Sequence, residues 1–358
     1  MRFHFPAPSV EQARHIVINY SRRMASVKWT CRADMDYTKE KSYTSKLKYT
    51  AGETYYGPIY VSNARNMDKF LLTLDENGVY TGALPYAEAV GNTCASAVRV
   101  SYDNVSAKIK AGSSFTFLPM ANAGVVKVGD YEWDFYDNMK KVVSLDTVKK
   151  NGEQRMCEAY ALLVPGDAIS ARWPAKNDPT VTNGHARLIS GPTHVVRLPD
   201  GTIDPKASTV TVIEQNGSFN PDTPYKTTWR VEKPYSFASL LSKGYLPVTL
   251  EEFAEGKLED ATVDFENVTC DESLFETGSL SGNVTSSHMI MNVKASLFDE
   301  NDTKVASVAY APQGKSVNLS DAAFSPALTS LPNGTYRLRI TARIGYGTCV
   351  YCDKNINK

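Results

Sequence analysis

Apolar positions at helical spacing open the chain. Ala13, Ile16, Val17, Tyr20, Met24 and Val27 recur every three or four residues, which predicts an amphipathic helix over Ser9 to Val27. Ser9 and Gln12 fit a capping box at its start. From Ser42 to Tyr86 the periodicity dissolves into a Gly-, Tyr- and Asn-rich stretch. The turn signals "YYGPIYV" and "DENGVYTG" predict irregular structure with short helices there. Beyond "GNTCASAV" (Gly91 to Val98), Ala95, Val98, Tyr102 and Val105 form a second helical stripe, so Cys94 falls where a helix begins, with Thr93 or Asn92 as its cap.

The period then changes. "GEQRMCEAYALLVPGDAISAR" reads as a helix, a turn at Pro165-Gly166-Asp167 and the start of a strand. "GHARLIS", "HVVRL" and "STVTVIEQ" are short β-type runs, the last two joined by the turn chemistry of "LPDGTIDP". A helix-borne cysteine followed by consecutive strands is an α+β order, not a doubly wound one. Past "EGKLED" (Glu255 to Asp260) two runs alternate strictly: Met289, Met291, Val293, Ala295 and Leu297, then Tyr336, Leu338, Ile340, Ala342 and Ile344. The second run carries Thr335, Arg337, Arg339, Thr341 and Arg343 on its other face. Period-two strands between Gly/Asn turns predict an immunoglobulin-like antiparallel sandwich over roughly 95–100 residues. The expected division is therefore residues 1–257 for the helix-and-sheet unit and 258–358 for the sandwich, and 358 residues is a two-domain length.

Composition narrows the function classes. Thirty-nine basic and thirty-nine acidic residues cancel, which argues against a partner held mainly by charge, such as nucleic acid or an anionic membrane. No stretch approaches the ~20 consecutive apolar residues of a membrane span. The opening "MRFHFPAPSVEQAR" lacks the basic-then-apolar pattern of a secretory signal. Six cysteines at 31, 94, 157, 270, 349 and 352 are spaced too irregularly to read as a disulfide framework. "CVYC" (Cys349 to Cys352) is a lone pair with only Cys270 in its half of the chain, so it predicts a structural role and no metal site; no cofactor is expected either.

A cysteine nucleophile requires a stabilised thiolate, a base and oxyanion donors, and a helix N-terminus supplies the first and part of the last. Cys94 meets that condition. Five histidines compete for the base: His4, His15, His185, His194 and His288. His185 opens a strand directly after the polar loop "TVTNG", and His194 is the rival at another strand start. On "VIEQN", Glu214 and Asn216 share a face by the two-residue period, and either has the chemistry to orient an imidazole.

These pieces, in this order, resemble the NlpC/P60 and CHAP group of papain-like cysteine hydrolases. In that group a cysteine opens a helix, a "PGD" turn leads into the sheet, a Gly-His pair opens the next strand, and a polar residue on the following strand completes the site. Here the corresponding segments are "NTCASAV", "VPGDAIS", "NGHARLIS" and "VIEQN", covering roughly residues 50 to 220. The resemblance implies a papain-like domain with Cys94 as nucleophile, His185 as base and Glu214, Gln215 or Asn216 as the third residue, the Glu-x-Asn ending being CHAP-like. It also implies substrate contacts from Tyr60, in the "YYGPIYV" segment, and from Thr93, which stands where the group usually has Asp. The implied activity is cleavage of an amide in bacterial cell-wall peptidoglycan peptides, outside the cell or at the wall. The alternatives are a peptidase acting on other peptides, or a silent papain-fold protein that only binds. On this reading the sandwich is an accessory module touching a surface protein or wall component.

Overall fold

In the computed structural model the chain is described except at residues 45, 110–111, 120–123, 135–137, 177 and 313; at 42, 139, 179 and 181 only the backbone is described. The first part of the chain runs through β1 (Arg2–Phe5), α1 (Val10–Ser26), α2 (Met67–Leu71), α3 (Cys94–Tyr102), β2 (Val125–Lys127), α4 (Ser144–Asn151) and α5 (Glu153–Ala161). It continues through β3 (Ala168–Ala175), β4 (Asp178–Ile189), β5 (Thr209–Gln215), β6 (Trp229–Ser236), α6 (Phe237–Lys243) and β7 (Leu246–Leu250). The last hundred residues hold β8 (Ala261–Glu266), β9 (Asn283–Ser286), β10 (Ile290–Phe298), β11 (Lys304–Tyr310), β12 (Ser316–Asn318), β13 (Thr335–Ile344) and β14 (Gly347–Asn357). The protein is thus mixed α and β, with several sheets.

A six-stranded antiparallel sheet in the order β6-β5-β4-β3-β7-β2 carries the first unit. Both of its faces are covered. Ala168, Ala186, Leu188 and Ile213 pack with α1 and α3, while Ile169, Ala171, Ile189 and Val212 pack with α5 and α6. Burial on both faces explains why His185 to Ser190 are all buried, polar His185, Arg187 and Ser190 included, rather than alternating between buried and exposed. α1 begins as predicted: Ser9 Oγ accepts from the Gln12 N–H, and Gln12 Oε1 accepts from the Ser9 N–H.

The Pro-Gly-Asp turn ties these layers together. Asp167 Oδ1 accepts from Arg14 of α1 at 2.6 Å and from the Thr249 hydroxyl of β7 at 2.6 Å. Its Oδ2 accepts from the Val164 N–H, and Tyr102 of α3 donates to the Gly166 carbonyl at 2.8 Å. A short acidic turn between helix and strand therefore fixes where α3, and with it Cys94, sits over the sheet.

Several sequence expectations are corrected. His185 does not open its strand: β4 starts at Asp178, because the ladder with β3 continues through the polar loop, pairing Thr182 with Pro174 and Asn183 with Trp173. "HVVRL" forms only isolated bridges, His194 with Thr209 and Arg197 with Ile203. The region 42–86 holds α2 and also two- and three-residue strand pairings around an aromatic cluster of Trp29, Tyr49, Tyr55, Phe70 and Tyr80. Residues 1–5 leave the 1–257 unit: β1 pairs with β8 from Arg2↔Asp264 to Phe5↔Ala261.

The second unit consists of two four-stranded antiparallel sheets, β1-β8-β9-β12 and β11-β10-β13-β14, enclosing one core that includes Val263, Phe265, Val293, Leu297, Leu338 and Ile340. β10 and β13 hold most of the two predicted alternating runs: Val293, Ala295 and Leu297 face the sandwich core with the apolar residues of β13, whereas Met289 and Met291 pack against the core of the first unit. Cys352 is bridged to Cys270 across 82 residues, where no framework was expected. Cys349 stays a free thiol donating to the Ala342 carbonyl. A bulge opposite Ile340–Thr341 turns both residues of "CVYC" inward, although three residues along a regular strand would face opposite sides. Converting Cys270 and Cys352 together to Ser should lower the stability of this unit by about 2–4 kcal/mol. Denaturant titration followed by the sandwich aromatics checks this, and an unchanged midpoint would show that the bridge is dispensable.

Candidate functional site

Local chemistry places Cys94. Ile59 and Tyr60 pair in parallel with Gly91 and Asn92. That pairing is possible only at glycine, because a Cβ on residue 91 would lie 1.9 Å from the Ile59 carbonyl oxygen. The pairing ends at Thr93, which is extended and caps α3: its N–H donates to Ser96 Oγ at 2.7 Å, and the two hydroxyls meet at 3.1 Å. Cys94 is the first residue of the helix, so its backbone N–H has no intrahelical acceptor. The Tyr60 hydroxyl lies against Cys94 and interacts with its thiol.

β4 brings the imidazole. The Gly184 carbonyl lies 3.9 Å from Cys94 Sγ, and His185 follows it. A Cβ at 184 would fall 2.1 Å from Ser114 Oγ, so this close approach of the chain requires glycine. His185 Nε2 is hydrogen-bonded to Glu214 Oε2 on β5, which leaves Nδ1 as the ring nitrogen for the thiol side. Arg187, two residues on and on the same strand face, donates Nε to the same Oε2 at 2.8 Å, and the Tyr235 hydroxyl donates to Oε1 at 2.6 Å. The Arg187 guanidinium is held between the rings of Tyr235 (3.7 Å) and Tyr245 (4.4 Å). Cys94, His185 and Glu214 are all buried.

The electrostatics are those of an ion pair. Burial pushes the Cys94 thiol up, but the His185 charge and hydrogen bond, with help from the Ala186 N–H and Tyr60, bring it down to about 7. Burial pushes His185 down, while Cys94 and Glu214 outweigh it and raise the imidazole to about 9. Glu214 is itself disfavoured by burial, yet His185, Arg187 and Tyr235 hold it well below the usual carboxylate range. Between about pH 7 and 9 the favoured form is thiolate with imidazolium.

All six sequence candidates line or adjoin one cleft of about 1380 Å³; Cys94, His185, Tyr60, Thr93 and Asn216 are on its wall, with Glu214 directly behind His185. Asn216 is not on the imidazole: its side-chain oxygen accepts the Gly217 N–H. Gln215 is turned away, donating to the Pro58 carbonyl. His194 is exposed on the surface, and His288 is buried in the sandwich against Tyr346. Sequence reasoning missed Arg187, Tyr235 and Tyr245. Arg187 was findable, two residues from His185 on one strand face, whereas the tyrosines arrive through tertiary packing. Among the described residues no cluster of His, Cys, Asp and Glu suits a metal ion, and no helix is long and apolar enough to cross a membrane. No known family model matches the chain, and no curated protein matches it in sequence.

Proposed function

We propose that the protein is a papain-like cysteine hydrolase, a peptidase or amidase, that cleaves an amide through Cys94, His185 and Glu214. The observation that carries this is one buried chain of contacts, from a thiol heading a helix through an imidazole to a carboxylate, with the thiol lowered and the imidazole raised. Cys94 attacks the carbonyl carbon. The Cys94 N–H, which has no intrahelical acceptor, is a donor for the developing oxyanion. His185 protonates the leaving amine through Nδ1, and water, deprotonated by the same nitrogen, releases the acyl group. Glu214 keeps Nε2 protonated and balances the imidazolium charge.

The family resemblance of the four segments makes peptidoglycan stem peptides the substrate of first choice, and an extracellular or wall-associated setting follows from it. The Cys270–Cys352 bridge supports an oxidising compartment. The sandwich, immunoglobulin-like on this reading, is the module that contacts a wall or surface component.

Iodoacetamide discriminates this reading from a silent binding protein. Cys94 should alkylate with an apparent pKa of about 7, well ahead of Cys157, which burial pushes up to about 12, and of Cys31 and Cys349, which burial also raises. Peptide mapping after brief labelling at pH 7.5 reads the order directly. Uniform labelling would remove the nucleophile, and muropeptide digestion resolved by mass spectrometry tests the substrate.

A further inference from the structure

The cleft is basic although the chain is not. Its wall carries Arg99, Lys140, Lys141, Arg172, Arg187 and Lys243, and no Asp or Glu among the described residues, in a protein whose charges cancel at thirty-nine of each sign. Two of the six are neutralised locally: Arg99 pairs with Asp103 at 3.0 Å, and Arg187 with Glu214 at 2.8 Å. The other four have no carboxylate partner among the described residues.

Arg172 is the unusual member. It is 4% exposed, so a counter-charge is expected beside it. Among the described residues its guanidinium hydrogen-bonds only neutral oxygens: Ser114 Oγ at 2.8 Å, the Lys140 carbonyl at 2.8 Å, the Thr182 carbonyl at 3.4 Å and the Thr182 hydroxyl. Its buried Nε has no partner among the described residues. Burial lowers Arg172 to about 10, the cost of a buried cation that lacks an anion. The position is close to the chemistry. Arg172 pairs with Gly184 in the β3–β4 ladder, one step from the His185 pair, and Ser114 bridges the guanidinium to Gly184, whose carbonyl faces Cys94. The Phe115 ring supports Arg172 and Lys140 together, at 5.6 and 5.7 Å.

We propose that this cleft takes a substrate bearing a carboxylate close to the scissile amide, and that Arg172 is the group that receives it. The proposal rests on Cys94 being the acylating nucleophile. A carboxylate is the anion that a peptide carries, and Arg172 lines the cleft as a cation without a counter-charge among the described residues. Lys140, Lys141 and Lys243, all exposed, extend the positive field to the mouth of the cleft, where it steers an acidic chain inward.

Two alkylating reagents of like size, one anionic and one neutral, test this without knowledge of the natural substrate. The rate of Cys94 with iodoacetate, divided by its rate with iodoacetamide, is compared with the same ratio for glutathione in the same buffer. Any general change in thiol reactivity cancels in that ratio. The Cys94 ratio should exceed that of glutathione by at least about tenfold, fall severalfold in Arg172→Gln and return in Arg172→Lys. On the unaltered protein, N-acetylglutamate should shield Cys94 from iodoacetamide at concentrations where N-acetylglutamine does not, an arm that stands even if the variants fail to fold. An Arg172→Gln ratio equal to that of the unaltered protein would assign the preference to His185 alone and overturn the proposal. Equal shielding by the two acetyl amino acids, or by inorganic phosphate, would overturn it as well. A Cys94 inert to both reagents would instead defeat the hydrolase reading beneath it.

Discussion

Replacing His185 by Ala should reduce kcat/KM for amide cleavage by roughly 10²–10⁴-fold and, in the same protein, move the Cys94 alkylation pKa from about 7 to above the ordinary thiol value of 9.0. The second effect is the sharper test, because opposed influences set the thiol. Burial alone raises it, and the imidazole is the largest influence pulling it down. Without the ring, burial is opposed only by the Ala186 N–H and the Tyr60 hydroxyl. At pH 7 a thiol of pKa 7 is half ionised and one of pKa 9 about 1% ionised, so alkylation at that pH should slow by about 50-fold. The sign also fixes the pH window for stability. The raised imidazole contributes its full stabilisation below its ordinary 6.5 and loses it as pH rises through about 9. The variant should therefore lack the alkaline-side loss. A Cys94 that alkylates with an unchanged pKa in His185→Ala would mean the two side chains do not act together.

The three central residues were legible in the sequence for separate reasons. Cys94 is marked by a cap signal and a helical stripe, His185 by a polar loop before an apolar run, and Glu214 by the two-residue period. Their meeting was not legible from periodicity, and was expected only from a resemblance in the order of four segments. The order of the outer strands was lost because it is tertiary. β7 and β2 reach the central sheet from positions 246–250 and 125–127, and β1 joins a sheet whose next strand begins at Ala261. Strand propensity failed on "HVVRL", where composition favours a strand but only two isolated bridges form, His194 to Thr209 and Arg197 to Ile203. The disulfide was hidden for a related reason, since 82 residues separate cysteines that only the folded strands bring together.

Glu214→Gln should be as damaging to turnover as loss of the base, by about 10²–10⁴-fold, and more damaging to the fold than loss of the imidazole. One carboxylate answers three donors: the buried His185 Nε2 and Arg187 Nε, and the half-buried Tyr235 hydroxyl. With the amide oxygen in the Oε2 position, both nitrogen donors keep an acceptor but lose its charge. With the amide reversed, its NH₂ faces two N–H groups and drives the proton to Nδ1, the wrong tautomer for accepting the thiol proton. In either arrangement the imidazolium is less favoured, so the alkaline limb of the pH–rate profile moves from about 9 toward 6.5 and the active window narrows from above. Arg187 fares worse, since its guanidinium stays buried between Tyr235 and Tyr245 without a counter-charge, which costs about 3–5 kcal/mol. Stability should respond on the acid side too: the depressed carboxylate contributes above its ordinary 4.5 and loses that contribution as pH falls, a dependence Gln cannot show. Thermal melts from pH 8 down to about pH 2, run beside pH–rate profiles, separate the two consequences. Activity within threefold of the parent protein, or an alkaline limb that stays near 9, would take Glu214 out of the site and leave it only a structural partner of Arg187.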